Sequence, residues 1–193
     1  MTKSFKNTIL EEAIEELKEN EFKPLFNEKE SGEKKDYIRE VQIDTDMELL
    51  FPDEYISIVS ERLALYNELS SIKNKEKLEA FKKNIEDRFG KIPNQGLELL
   101  NTLKVKWIAS QLGLKRLIIK NKKCVGYFLS DQGSEFFQSE VFNKVLLNVQ
   151  NHSQFYSIKE KETRNGTRLL LTVNKINSIE DLKKRLEMIL ESN

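Results

Sequence analysis

At Gly113 the apolar residues of this chain change their spacing from about 3.6 to about 2. Upstream, Leu97, Leu100, Leu103 and Trp107 recur every three or four residues, which aligns them on one face of a helix. Downstream, Arg116 to Lys120 (RLIIK) and Cys124 to Leu129 (CVGYFL) flank a polar Asn-Lys-Lys turn, the pattern of an antiparallel hairpin. Glycine suits the switch point because it ends a helix without a Cβ penalty. A chain divided in this way keeps helices and strands in separate blocks, so the expected class is α+β.

The helical block has its own punctuation. From Phe51 to Pro93 the spacing predicts two helices joined by a short link, hence an antiparallel helical hairpin. Pro52 and Asp53 are expected to open the first, with Ile56, Val59, Leu63, Tyr66 and Leu69 as its buried stripe. Asn74 is expected to cap the second, whose stripe is Leu78, Phe81, Ile85 and Phe89. Gly90 stops that helix and Pro93 prevents a restart. Asn94 is expected to cap the third.

Ahead of the hairpin, Tyr37 to Asp46 alternates as a half-buried strand, with Val41 and Ile43 on one side. Ser4 to Glu19 reads as a helix with Ile9, Ala13 and Leu17 on one face, and as the continuation of a longer chain. Asn27 to Lys35 (NEKESGEKK) is a charged, exposed loop. The expected organisation is therefore an N-terminal helix and connection over 1–26, a loop over 27–35, and a single α+β domain over 36–193.

After the first strand hairpin, Ser134 to Val149 returns to helical spacing, with Phe137, Val141 and Val145 in line. A second hairpin joins FYSIKEK from Phe155 to TRLLLTV from Thr167 around Asn165-Gly166, a strong turn signal. Ser178 and Asp181 cap a last helix that carries Ile179, Leu182, Leu186 and Ile189. The helical first half is thus followed by a ββαββα antiparallel-sheet unit.

Catalytic chemistry is hard to find. No GxxxxGK[ST] loop occurs, so ATP cannot be held in the P-loop manner. The one histidine, His152, sits in a polar Asn-His-Ser-Gln segment and reads as a solvated loop residue. The one cysteine, Cys124, alternates into a strand and reads as a small core residue. One His and one Cys cannot build a structural zinc site, and no cofactor is expected in this chain. A lone cysteine and no signal peptide fit a reducing, cytoplasmic home, and no apolar run is long enough to span a membrane. Lys plus Arg and Asp plus Glu are both 32, a formal net charge of zero, whereas a dedicated nucleic-acid binder has a basic excess. Lys115, Arg116, Lys120, Lys122 and Lys123 nevertheless cluster around the first strand hairpin, near Tyr127. Two readings stand: a weak nucleic-acid or acidic-protein contact, or lysines that keep a sheet edge from pairing with another sheet. Balanced charge favours the second.

Taken in order, Val-Gln-Ile-Asp from Val41 to Asp44, PDEYI from Pro52, ERLALY from Glu61, EDRFGKIP from Glu86 and LGLKRL from Leu112 resemble the C-terminal domain of bacterial transcription-repair coupling factors. The resemblance runs from about Thr8 to about Leu129, and beyond that rests on the order of elements. It implies a non-catalytic piece of a large DNA translocase that displaces stalled RNA polymerase and recruits the excision-repair protein UvrA. ATP and magnesium would belong to the motor domains of such a parent, and DNA would be met through the parent. The resemblance also implies an autoinhibitory clamp: the domain packs on the parent's amino-terminal UvrB-like module and masks the surface UvrA binds. The alternative is a stand-alone adaptor whose basic hairpin touches nucleic acid.

Asn84, Asp87 and Arg88 are the candidate protein-interaction residues. Many family members have an acidic residue where this chain has Asn84. Asp87 and Arg88 fall in the last turn of the second hairpin helix, where the carbonyl end favours Arg88 and disfavours Asp87. Asp87 is therefore expected to have a partner: a backbone amide or basic residue nearby, the favoured reading, or an arginine on the amino-terminal module.

Overall fold

The structure, a computed structural model, describes residues 38, 40–130, 133–163 and 166–192. The expected opening helix and charged loop lie outside the described residues. The elements run β1 (Gln42–Thr45), α1 (Val59–Ser71), α2 (Lys75–Phe89), α3 (Asn94–Gln111), β2 (Leu114–Lys120) and β3 (Lys123–Phe128). A short 3-10 turn (Glu135–Gln138) precedes α4 (Glu140–Asn151), β4 (Tyr156–Thr163), β5 (Gly166–Asn174) and α5 (Ile179–Glu191). They belong to a compact unit, Lys34–Asn193, and the α+β class read from the periodicity is present.

α2 forms as its sequence predicts. The Asn74 side chain accepts from the Lys77 amide at 2.9 Å, Leu78, Phe81 and Ile85 are buried, and Gly90 closes the helix at φ 81°. α1 departs from expectation. Pro52 and Asp53 open a turn instead, closed by the Tyr55 and Ile56 amides donating to the Pro52 carbonyl at 3.0 Å, and the helix starts only at Val59. Its buried side holds Leu65 and Leu69, followed by Ile72 at the C-cap, while Val59 and Leu63 turn outward. The segment VSERLALY has apolar residues on two helical faces, and the stack of Tyr66 on Phe51, with centroids 5.6 Å apart, helps fix which side faces in. Arg88 of α2 pairs with Glu61 of α1, joining the last turn of one to the first turn of the other, as an antiparallel hairpin requires. Asn94 is not a cap: Pro93 holds that position, where its missing N–H costs nothing.

α3 links two hydrophobic cores. Its Leu100 joins the hairpin core of Phe51, Ile56, Leu65, Leu78, Phe81 and Ile85. Five to nine residues later, Val105, Ile108 and Ala109 join the sheet core with Leu117, Phe128, Leu171 and the α5 stripe. The stripe residues Ile179, Leu182, Leu186 and Ile189 are completely buried, each stabilising by about 1.5–3 kcal/mol relative to exposure. Glu98 of α3 also accepts the Ile179 amide, so a carboxylate from one helix satisfies a donor at the N-terminus of another.

The sheet has five strands in the order β1-β2-β3-β5-β4. The ββαββα unit supplies its antiparallel pairs, and β1 adds a parallel pairing to β2, with Ile43 opposite Leu117. Asn121 and Lys122, at φ 53° and 57°, make the two-residue turn between the paired Lys120 and Lys123, as the primed hairpin turns demand. In the second hairpin Gly166 pairs with Thr163; Asn165 of the Asn165-Gly166 turn read from the sequence lies outside the described residues. The predicted helix from Ser134 is interrupted: Ser139 accepts from the Phe142 amide at 3.3 Å and starts α4 afresh after the 3-10 turn. That restart buries Phe142 and Val145 directly, with Phe137 and Val141 only partly covered.

Candidate protein-interaction site

Cys124 is 1% exposed on β3, and burial pushes its thiol up to about 12, which removes it as a nucleophile at neutral pH. His152 is the C-cap of α4 and is only half-exposed, contrary to the solvated-loop reading. Its buried Nδ1 has no hydrogen-bond partner among the described residues, and its ring lies edge-on to Tyr156 at 6.4 Å. Among the described residues no three His, Cys, Asp or Glu side chains are grouped to hold a metal.

Asn84, Asp87 and Arg88 are exposed on α2, with Asp87 and Arg88 three and four residues beyond Asn84 and so beside it on the helix surface. Arg88 is engaged within the domain: it pairs with Glu61 and lies 4.7 Å over the Phe89 ring. Asp87 has no hydrogen bond or ion pair among the described residues, so the local partner expected for it is not found there. Tyr55 stands close by, its hydroxyl donating to the Gly90 carbonyl at 2.7 Å. Burial raises its pKa, with a further push from the charge of Glu86.

The sequence reading missed an apolar surface at the start of α1. Ile58, Val59 and Leu63 are 58%, 59% and 57% exposed. Leu50, Val59 and Leu63 line one groove with Phe51, Arg62 and Tyr66. Arg62 is held at its edge by Asp53 and by the Ile56 carbonyl at 3.2 Å. The signal available in the sequence was the second apolar face of VSERLALY, since Val59, Leu63 and Tyr66 are spaced by three and four residues as Leu65, Leu69 and Ile72 are.

The basic cluster divides. Arg116 donates from Nε and Nη2 to Asp44 Oδ2 at 2.9 and 2.7 Å, and Lys115 donates to Ser130 Oγ at 3.0 Å. Lys120, Lys122 and Lys123 are exposed at the β2–β3 turn. The edges of the sheet are β1 and β4, so edge protection, the reading favoured above, does not account for them.

The TRCF domain family matches residues 45–139, a span that contains the groove, the exposed end of α2 and the basic hairpin. Over those residues, just under half of its length, the chain is similar to the TRCF domain. Over 189 residues it is 29% identical to the transcription-repair-coupling factor of Buchnera aphidicola subsp. Baizongia pistaciae, covering 96% of this chain and 24% of that relative. The Escherichia coli factor is 32% identical over 79 residues, 41% of this chain and 7% of that relative. The Helicobacter pylori factor is 34% identical over 109 residues, 56% and 10% respectively. The chain therefore spans a quarter or less of the length of these relatives. A solved C-terminal domain of a transcription-repair coupling factor superposes with a TM-score of 0.58 at 20% identity, covering 79% of this chain and 94% of that one. The chain has that C-terminal domain's fold, and none of its described helices is long and apolar enough to cross a membrane.

Proposed function

We propose that this TRCF domain is a non-catalytic regulatory clamp of a transcription-repair coupling factor. The parent would be a cytoplasmic, ATP- and magnesium-dependent DNA translocase that removes stalled RNA polymerase. The domain would rest on the parent's UvrB-like amino-terminal module and mask the surface that UvrA binds. The observation behind this reading is the apolar groove of Leu50, Val59 and Leu63, inside the span that matches the family. Large apolar side chains grouped at a polar rim mark protein contacts on soluble domains. Arg62 at the groove edge and Asp87, which has no ion pair among the described residues, would supply charges for orientation.

The test is a titration of the 193-residue chain with the UvrB-like module of the coupling factor. Saturable binding is expected, displaced by UvrA. Val59→Glu with Leu63→Glu should weaken it by about tenfold or more and leave Tm unchanged, because both side chains are already in water. Asp87→Ala should likewise weaken binding without lowering Tm. Binding that UvrA does not displace, or no binding at all, would overturn the masking role.

A further inference from the structure

Strand alternation sorts the charges of the sheet onto opposite faces. Leu117, Cys124, Leu171 and Val173 point into the helix-covered core. Their neighbours Ile118, Val125, Tyr127 and Leu170 point the other way, are half-exposed, and belong to neither hydrophobic core. The register brings these four together: Ile118 faces Val125, and Tyr127 faces Leu170. Around them, at outward positions, stand Arg116, Lys120, Lys123, Lys159, Lys161 and Arg168. The acidic residues of β4, Glu160 and Glu162, alternate to the opposite face. Asp44 is the single acidic residue at an outward position of a described strand, and Arg116 already neutralises it.

Two features go against a purely structural role. Lys120 lies directly opposite Lys123, and Lys161 directly opposite Arg168, and like charges in facing positions destabilise a sheet. Protection of an edge accounts for Lys159 and Lys161 on β4, but Lys120, Lys123 and Arg168 lie on interior strands. Among the described strands only Asp44 offers this surface an outward acidic side chain, so the counter-charge of these pairs comes from beyond the described sheet.

We propose that the outer face of this sheet is a second docking surface, for an acidic amphipathic segment of a partner protein. Its carboxylates would meet the basic rim, and its apolar side chains would cover Ile118, Val125, Tyr127 and Leu170. A protein segment suits the surface better than single-stranded nucleic acid, which stacks its bases on successive aromatic rings; here Tyr127 is the one aromatic among aliphatic neighbours. The surface is separate from the groove at α1 and does not depend on the clamp reading.

The full chain is titrated with a labelled sixteen-residue peptide, an order-of-length choice of about four helical turns, built of Leu at helical spacing with Glu between. Saturable binding is expected at low salt, fading as salt is raised. Lys159→Glu with Arg168→Glu should weaken it about tenfold, equivalent to 1.4 kcal/mol. Arg168→Glu alone converts the Lys161 pairing into an attractive one and should raise Tm by about 1–4 °C while weakening the peptide. A variant that grows more stable as it loses binding separates recognition from folding. The proposal is overturned if the peptide fails to bind, if the double variant binds it equally well, or if oligothymidylate binds more tightly than the peptide.

Discussion

Cys124 illustrates what burial alone does to a titratable side chain. Burial raises its folded pKa to about 12 from an ordinary value of 9.0, so the thiol stays protonated in the fold at pH values where the unfolded chain would lose the proton. The folded state then holds more protons than the unfolded one, and stability falls as pH rises above 9 toward 12. The slope from this one group is at most about 1.4 kcal/mol per pH unit. Tyr156 adds in the same direction, since burial raises its pKa against the opposing charge of Arg185. Thermal melts from pH 8 to pH 11 should show Tm falling in the native chain and falling less steeply in Cys124→Ala. Parallel curves would mean that the thiol does not control alkaline stability.

At the scale of elements, the helices differ in what holds their ends. α2 begins on a side-chain cap, Asn74 to the Lys77 amide; α1 begins at Ile58 with none, and the approach of its chain is held by the Pro52 turn and by Arg62 on Asp53. Asn74→Ala should therefore cost about 1 kcal/mol, read as a Tm drop of about 2–4 °C, and Asn74→Asp should restore most of it. Equal Tm for Asn74→Ala and the native chain would remove the cap from the account. The contrast also explains an error of reading. Asn74 announced its helix because the capping bond is local, three residues long, whereas Pro52 and Asp53 serve a turn whose role depends on Arg62, nine residues away.

At the scale of the molecule, Gly113 joins the helical block to the sheet. It sits at φ +69°, and a Cβ there would lie 2.5 Å from Phe136 Cζ. Its carbonyl accepts from the Leu129 amide at 3.0 Å, which ties the helix end to the strand that returns beside it. Gly113→Ala combines a left-handed backbone cost of about 1–2 kcal/mol with overpacking of about 1–3 kcal/mol. A Tm loss on the order of 10 °C is expected, whereas Gly90→Ala, which meets nothing within 4 Å, should lose only the backbone share. Similar losses at both sites would show that Phe136 yields to the added methyl.

Much of this domain was determined by the sequence alone because its signals are short in range. Period and turn residues placed α2, α3, α5 and both strand hairpins, and the caps Asn74 and Ser178 marked the starts of α2 and α5, since each depends on atoms within a few residues along the chain. The order of short motifs likewise resembles that of the TRCF domain, which residues 45–139 match. Tertiary structure decided the rest. It chose which of the two apolar faces of α1 is buried, and so left Val59 and Leu63 in water; both faces have helical spacing, and only packing against Phe51 and α2 distinguishes them. It brought β1 to β2 across a long separation in sequence, as local pattern cannot. It also decided which side of the alternating strands met the helices. Alternation makes Lys159 and Lys161 share a face, but only the helices covering the other side leave that face outward, where among the described strands Asp44 is the single acidic residue.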